Sequence, residues 1–326
     1  MFVAVRRLFN TYLNSRKIKI EYLYQKNRNF GNIHFYNWWH VNNYESLWFY
    51  RFVQNMGLLE GTNKQLNFCT VFQNRKVLSH IDDGIKIFFS GENLRLPSWS
   101  HYADALLGDK DCQLSLGFDY FEDKRYFRFP LWFTYMFEPT LNEDLIKQRC
   151  EQLRYPRIER REKFACMIAR ADFSGLRTEM YYALSALGNI DCPSELFHND
   201  DSLKNQYNDD KIAYMQRYLF NICPENSNAY GYCTEKVFEA IDAGCIPIYW
   251  GSYNVPEPKI LNSEAIILWD KESGGTDSIC KIRKLLEDSN FITEFINQPR
   301  LQPNAEMEIL NVMTGLYDKL KILIRE

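Results

Sequence analysis

The feature that most constrains this chain is an alternation of short apolar runs with longer amphipathic ones, in two series separated by a charged stretch. In the first series "NIHFY" (32–36) reads as a buried strand. It is followed by "NWWHVNNYESLWFYRFVQNMG", apolar at helical spacing and ending on Gly57. Further strand candidates are "LNFCTVF" (66–72), "KIFFS" (86–90), "QLSLGFD" (113–119) and "YFRFPLWF" (126–133). The second series runs "FACMIA" (164–169), a helix over 175–188, "YLFNIC" (218–223), a helix over 234–244, "CIPIYWG" and "AIILW" (265–269). Strands alternating with helices build open, mostly parallel sheets. The expectation is an α/β chain of two open-sheeted units with a cleft between them. Its parts are a basic extension over 1–31, a first unit over 32–157, a second over 158–306 and an amphipathic helix over 307–326.

Charge and cysteine usage narrow the function classes. The net charge of −3 over 326 residues provides no global basic field to neutralise a nucleic-acid backbone, so no nucleic-acid partner is expected. Residues 1–31 are the local exception, with Arg6, Arg7, Arg16, Lys17, Lys19, Lys26 and Arg28 against the single acid Glu21. They read as a solvated basic extension, with an anionic membrane surface as the alternative partner. The opening "MFVAVRRLFN" lacks the apolar core of a signal peptide, and no segment has the ~18 apolar residues of a membrane span. A cytoplasmic protein is expected, with peripheral contact at the inner face of the membrane left open. Nine cysteines without a Cys-x-x-Cys pair argue for buried thiols rather than disulfides or zinc.

The densest chemistry lies in "PENSNAYGYCTEKVFEAIDAGCIPIYWG" (224–251). Val237, Phe238, Ala240 and Ile241 give a helix an inner face, Thr234 is placed to cap it, and Gly244 supplies a left-handed stop. The first turn would then point free N–H groups beyond the carboxyl end of a strand, where open α/β sheets bind anions such as phosphate. Lys236 in that turn opposes the helix dipole unless an anion lies nearby. Glu235 fits either a ligand contact or a plain dipole-complementing acid. The Tyr230-Gly231-Tyr232 loop fits either ring stacking on a ligand or core packing.

"FNICPEN" with "YGYCTEKVFEAIDAGCIPIYWGS" resembles the donor-binding signature of the glycosyltransferase family 10 fucosyltransferases, in particular bacterial α1,3/α1,4 members. "NWW" (37–39), "FFSGEN" (88–93) and "LGFDYFEDKRYFRFPLW" (116–132) resemble that family's segments in the same order. The resemblance implies a GT-B fold of two facing Rossmann-like domains with the active site in the cleft. It also implies inverting transfer of L-fucose from GDP-fucose to the 3-OH or 4-OH of N-acetylglucosamine in lactosamine-type glycans. By the same resemblance Glu92 is the general base and Arg177 and Lys236 clamp the donor diphosphate. Glu235 and Tyr232 hold the fucose hydroxyls and a phosphate oxygen, and Asn226 orients the ribose or its loop. No obligatory cofactor or metal is implied, a divalent ion being at most stimulatory. The alternatives are a GT-B transferase for another nucleotide sugar and an inactive glycan-binding homologue. This chain departs from the family at Arg170-Ala171, where many members carry Ser-Asn, and at "CPSELFHNDDSL", where they have a Gly-rich stretch.

Weaker signals complete the reading. Asp109-Lys110-Asp111 is a D-x-D triplet, but it precedes a strand candidate rather than ending one, so it is not assigned a metal. Trp38 and Trp39 fit stacking on acceptor sugar rings as well as they fit core packing, and His101 is a minor acceptor-site candidate.

Overall fold

The computed structural model describes residues 2–39, 42–99, 102, 112–120, 122–156 and 161–326, with side chains from Leu13 onward. Two compact units emerge. The first comprises Met1–Phe129, Glu138–Leu141 and Val312–Glu326, the second Pro130–Phe137 and Asn142–Asn311. The boundary expected at 157/158 falls at residues outside those described.

The first unit opens with helix α1 (Phe2–Lys26). It continues through β1 (Ile33–Tyr36), β2 (Leu66–Cys69), β3 (Ile85–Phe89), β4 (Leu114–Gly117) and β5 (Tyr126–Arg128), all parallel and side by side in chain order. β1, β2 and β4 are buried at every position, as parallel strands covered on both faces must be. Helix α2 (Trp48–Asn55) lays Phe49 against Phe68 at 5.0 Å and stacks Trp48 on Phe52 at 4.9 Å.

Two expectations are corrected here. The helix expected from residue 37 begins only at Trp48. Asn37 takes φ 53°, outside the right-handed helical region, and the Asn43 carboxamide accepts the Glu45 N–H to start a separate 3₁₀ turn over 44–46. The extension, expected to be solvated, is instead built into the unit through its C-terminal half. Ile18 and Tyr22 are buried, Tyr22 stacks on Tyr36 at 5.9 Å, and the Gln25 side chain bonds Asn37 through both its amide and its carbonyl.

The second unit carries α3 (Phe133–Met136), α4 (Glu143–Arg154), β6 (Lys163–Cys166), α5 (Leu176–Ser185), β7 (Ile190–Asp191), α6 (Ser202–Asn205), α7 (Lys211–Met215) and β8 (Tyr218–Ile222). They are followed by α8 (Glu235–Asp242), β9 (Ile246–Tyr249), β10 (Ile267–Leu268), α9 (Thr276–Glu287), α10 (Ser289–Ile296) and the start of α11 (Ala305–Arg325), whose residues from Val312 onward belong to the first unit. Its sheet is parallel with order β10-β9-β8-β6-β7. The chain steps from β6 outward to β7, then crosses back to β8 on the other side of β6. That reversal is a topological switch point, and ligands of open α/β sheets bind beyond the strand ends there. In the first sheet the described strands follow chain order without such a reversal. Phe220, Ile222, Ile246 and Ile248 meet Met180 and Leu184 of α5 in the core. The final amphipathic helix packs on the protein as expected, burying Ile309, Met313, Leu316 and Leu320.

Candidate functional site

Beyond the carboxyl ends of β6 and β8 lies a pocket in the second unit. Met167–Ala169 and Asn221–Pro224 form its floor. Arg177 of α5, Lys211 of α7 and Glu235, Lys236 and Glu239 of α8 form its charged walls. The switch point and the starts of α5, α7 and α8 therefore meet at one place, with three cations, Arg177, Lys211 and Lys236, and two carboxylates, Glu235 and Glu239, in the lining.

Arg177 is held from several sides. The carboxylate of Asp172 accepts the Thr178 N–H at 2.8 Å and fixes the start of α5. The guanidinium donates to the Ala171 carbonyl at 2.5 Å, to the Asn226 carboxamide oxygen at 2.7 Å and to the Pro224 carbonyl at 3.4 Å. Ala171, part of the departure from the family pattern, thus contributes through its backbone, while Arg170 is exposed. Burial pushes the Arg177 pKa down and the charges of Asp172 and Glu225 push it back, so the group stays a cation.

Lys236 is organised by an acid that the sequence reading did not assign. Glu225, whose side chain is 0% exposed, follows β8 by three residues. One of its oxygens accepts the Thr234 N–H at 2.7 Å and the Tyr249 hydroxyl at 3.4 Å. The other accepts the Thr234 hydroxyl at 2.7 Å and the Lys236 ammonium at 3.1 Å. Thr234 occupies the position before α8, but its hydroxyl makes no cap bond to the helix, being engaged by Glu225 and by Lys236 at 2.8 Å. The N-terminal turn of α8 therefore receives no bond from the Thr234 hydroxyl, and the Glu235 carboxylate turns back onto its own backbone N–H instead. Burial alone would lower the Lys236 pKa; Glu225 and Glu235 outweigh it and hold the ammonium above the ordinary lysine range. For Glu235 burial pushes upward, but Lys236 and the helix backbone hold the carboxyl below the usual range. Gly251 makes room for this arrangement, since a Cβ there would lie 2.6 Å from Glu225 Cγ and 2.7 Å from the Tyr249 hydroxyl.

Lys211 and Glu239 are further members that the sequence did not reveal. Lys211 sits 3.3 Å from both Glu239 oxygens, a contact between residues 28 apart with no local signature. Glu225 had a weak signal, an acid just past a strand buried at nearly every position.

The other candidates are distributed as follows. Tyr232 is buried, and its neighbour Tyr230 is half exposed. Glu92 belongs to the first unit, in the loop after β3, where its N–H donates to the Ser90 hydroxyl at 3.1 Å and its carbonyl accepts from that hydroxyl. Asp119, buried at the end of the adjacent β4 and paired with Arg95, is a second carboxylate at that end of the sheet. Trp38 is a core residue with Phe35, Phe49 and Phe89 around it. Trp39 is half-buried against Phe72 at 4.6 Å. His101 and Asp109–Asp111 lie outside the described residues. Among the described residues no cluster of three or more His, Cys, Asp or Glu side chains is arranged to hold a metal ion.

Two Rossmann-like units, the second with a charged switch-point pocket, define the GT-B class of glycosyltransferase fold. Solved structures agree: a crystal structure of an alpha1,3-fucosyltransferase superposes with a TM-score of 0.57 at 20% identity over 88% of this chain and 89% of that one. Its form with GDP-fucose gives 0.55 at 19% over 87% and 89%. The chain belongs to glycosyltransferase family 10. The model of the "Alpha-(1,3)-fucosyltransferase FucT N-terminal domain" matches residues 33–135, and that of the "Glycosyltransferase family 10 (fucosyltransferase) C-term" matches 158–296. Alpha-(1,3)-fucosyltransferase FucT of Helicobacter pylori is 26% identical over 56% of this chain and 40% of its own length. Alpha-(1,3)-fucosyltransferase B of Drosophila melanogaster is 35% identical over 41% and 30%. The chain thus aligns with less than half the length of these curated relatives.

Proposed function

We propose that this protein transfers L-fucose from GDP-fucose, with inversion, to the 3-OH or 4-OH of N-acetylglucosamine in lactosamine-type glycans. The observation that carries the reading is the meeting of Arg177, Lys236 and the first turn of α8 at the switch point of the second sheet. Transfer breaks the bond between the fucose anomeric carbon and the β-phosphate oxygen, and the departing GDP takes the electron pair. A planar guanidinium presents two donors to two phosphate oxygens, and Lys236 adds a point charge. In a pocket screened from water these charges stabilise the leaving group as it forms. Glu235 and Tyr232 receive the fucose, Asn226 keeps the Arg177 fork in place, and Lys211 gives the pocket a third cation.

On the acceptor side Glu92 removes the hydroxyl proton while the oxygen bonds the anomeric carbon. A base in this role contributes on the order of 10²–10⁴ in rate. The cations within the pocket neutralise charge that a divalent ion carries in other transferases, so no obligatory metal is required. Incubation with GDP-fucose and type 1 and type 2 lactosamine acceptors, with the product linkage read by NMR, tests the reading. An α1,3- or α1,4-linked fucoside is expected. Binding of UDP or CMP but not GDP would instead assign another donor, and glycan binding without turnover an inactive homologue.

A further inference from the structure

We propose that the outward face of α1 is a docking surface for an anionic lipid bilayer. The helix has two faces that differ in kind. Ile18, Tyr22 and Gln25 point into the first unit and are buried. On the opposite side Ile20, Leu23 and Tyr24 stand in one stripe at helical spacing and are 58%, 43% and 62% exposed, and Phe30, just beyond the helix, is 80% exposed. An apolar stripe left on the outside of an already packed helix serves no purpose in the core, and exposed apolar patches mark interaction sites.

The charges beside the stripe say what it meets. Arg16, Lys17, Lys19 and Lys26 are all exposed, and no ion pair among the described residues engages the first three. Glu21, the single acid of residues 1–31, is turned toward the unit, where its carboxylate accepts from the Asn74 N–H at 3.4 Å. The outward face of the described helix is therefore cationic and apolar with no carboxylate on it. Long basic side chains reach anionic headgroups while aliphatic groups between them enter the acyl boundary, and Tyr24 and Phe30 suit the interfacial level.

Rival occupants fit less well. A second copy docked face to face would set one row of cations against the other. A nucleic acid would match the cations but leave Ile20 and Leu23 against phosphate, where they gain nothing. No helix of the described residues is long and apolar enough to cross a membrane, so the contact is one of lying on the surface.

The test is sedimentation of the full chain with vesicles of phosphatidylcholine alone or with phosphatidylserine added, at about 0.1 M and about 1 M salt, where the Debye length falls from ~10 to ~3 Å. Binding only to the anionic vesicles, and only at the lower salt, is expected. Replacing Arg16, Lys17 and Lys19 together by Gln should weaken partitioning on the order of a hundredfold, about fivefold per charge. Ile20→Ser with Leu23→Ser should weaken it at least about tenfold. Both variants change only exposed side chains, so unchanged melting profiles separate lost docking from lost folding. Equal binding to neutral vesicles, or variants that bind like the wild type, would overturn the proposal. So would absent vesicle binding combined with a dimer that the Ser variant dissociates, which would assign the face to a second copy. The inference is independent of the transfer reaction, since both its readouts are taken without substrate.

Discussion

Removing the Glu225 carboxylate should loosen the second unit and the ammonium it holds. In Glu225→Ala, Thr234 loses acceptors for its N–H and hydroxyl, the Tyr249 hydroxyl loses that carboxylate, and Lys236 retains the Thr234 hydroxyl at 2.8 Å but, of its two carboxylates, only Glu235 at 3.6 Å. Breaking a buried ion pair by deleting one partner costs about 3–5 kcal/mol. Because the Lys236 side chain is 22% exposed and can recruit water, the low end, about 3 kcal/mol, is the better expectation. For a unit of this size that lowers the melting temperature by roughly 6–12 °C. Glu225→Gln should lie between this variant and the wild type, because an amide oxygen can still accept the Thr234 N–H while the charge is gone. Gly251→Ala supplies an internal check. Its Cβ would clash with Glu225 Cγ and the Tyr249 hydroxyl, so part of its cost should vanish once Glu225 is Ala, a coupling measurable in a double-mutant cycle. Thermal melts near pH 7.5 followed by circular dichroism read the wild type and all four variants, the double one included. A Glu225→Ala melt within a degree or two of the wild type, or strictly additive effects with Gly251→Ala, would refute the claim that this carboxylate organises the site.

Other expectations follow from the same geometry. Lys236→Ala should weaken GDP binding about tenfold to a hundredfold, the loss of one charge-assisted bond, as measured by calorimetry. Arg177→Lys should also bind GDP poorly, because an ammonium cannot satisfy Ala171, Pro224 and Asn226 and still offer paired donors to phosphate. Glu92→Gln should bind GDP as the wild type does and transfer fucose about 10²–10⁴-fold more slowly in the acceptor assay. In acid, Asp172 and Glu235, both held below their ordinary pKa values in the folded chain, contribute stability that is complete above the unfolded values and lost as pH falls through the folded ones. Melting temperature should therefore drop between about pH 5 and about pH 3, and Asp172→Asn should make the drop shallower.

Much of the second unit is legible in its sequence, because buried parallel strands are written as continuous apolar runs and α8 carries its inner face in Val237, Phe238, Ala240 and Ile241. Lys236 can be found because it opens a helix that follows a strand end, whereas Arg177 is picked out by the family resemblance; topology then brings both to one pocket. Glu225, Lys211 and Tyr249 cannot be grouped in advance, since their partners are 9 to 28 residues away and the contacts arise only when β8, β9, α7 and α8 pack. Thr234 shows a local rule giving way to a tertiary one: a residue suited to capping spends its hydroxyl on a buried acid instead. The late start of α2 has a similar origin. The apolar spacing of residues 37–47 is real, but it reflects Trp38 burying itself among Phe35, Phe49 and Phe89 from a non-helical backbone. In α1 the spacing of Ile18 and Tyr22 carries a packed face that the density of cations obscures.

The measurement that bears most directly on the central claim is a crystal structure of the chain soaked with GDP. The account predicts the diphosphate at the N-terminal end of α8, within hydrogen-bonding distance of the Arg177 guanidinium and the Lys236 ammonium. Nucleotide bound elsewhere, with both side chains still turned to their protein partners, would contradict it.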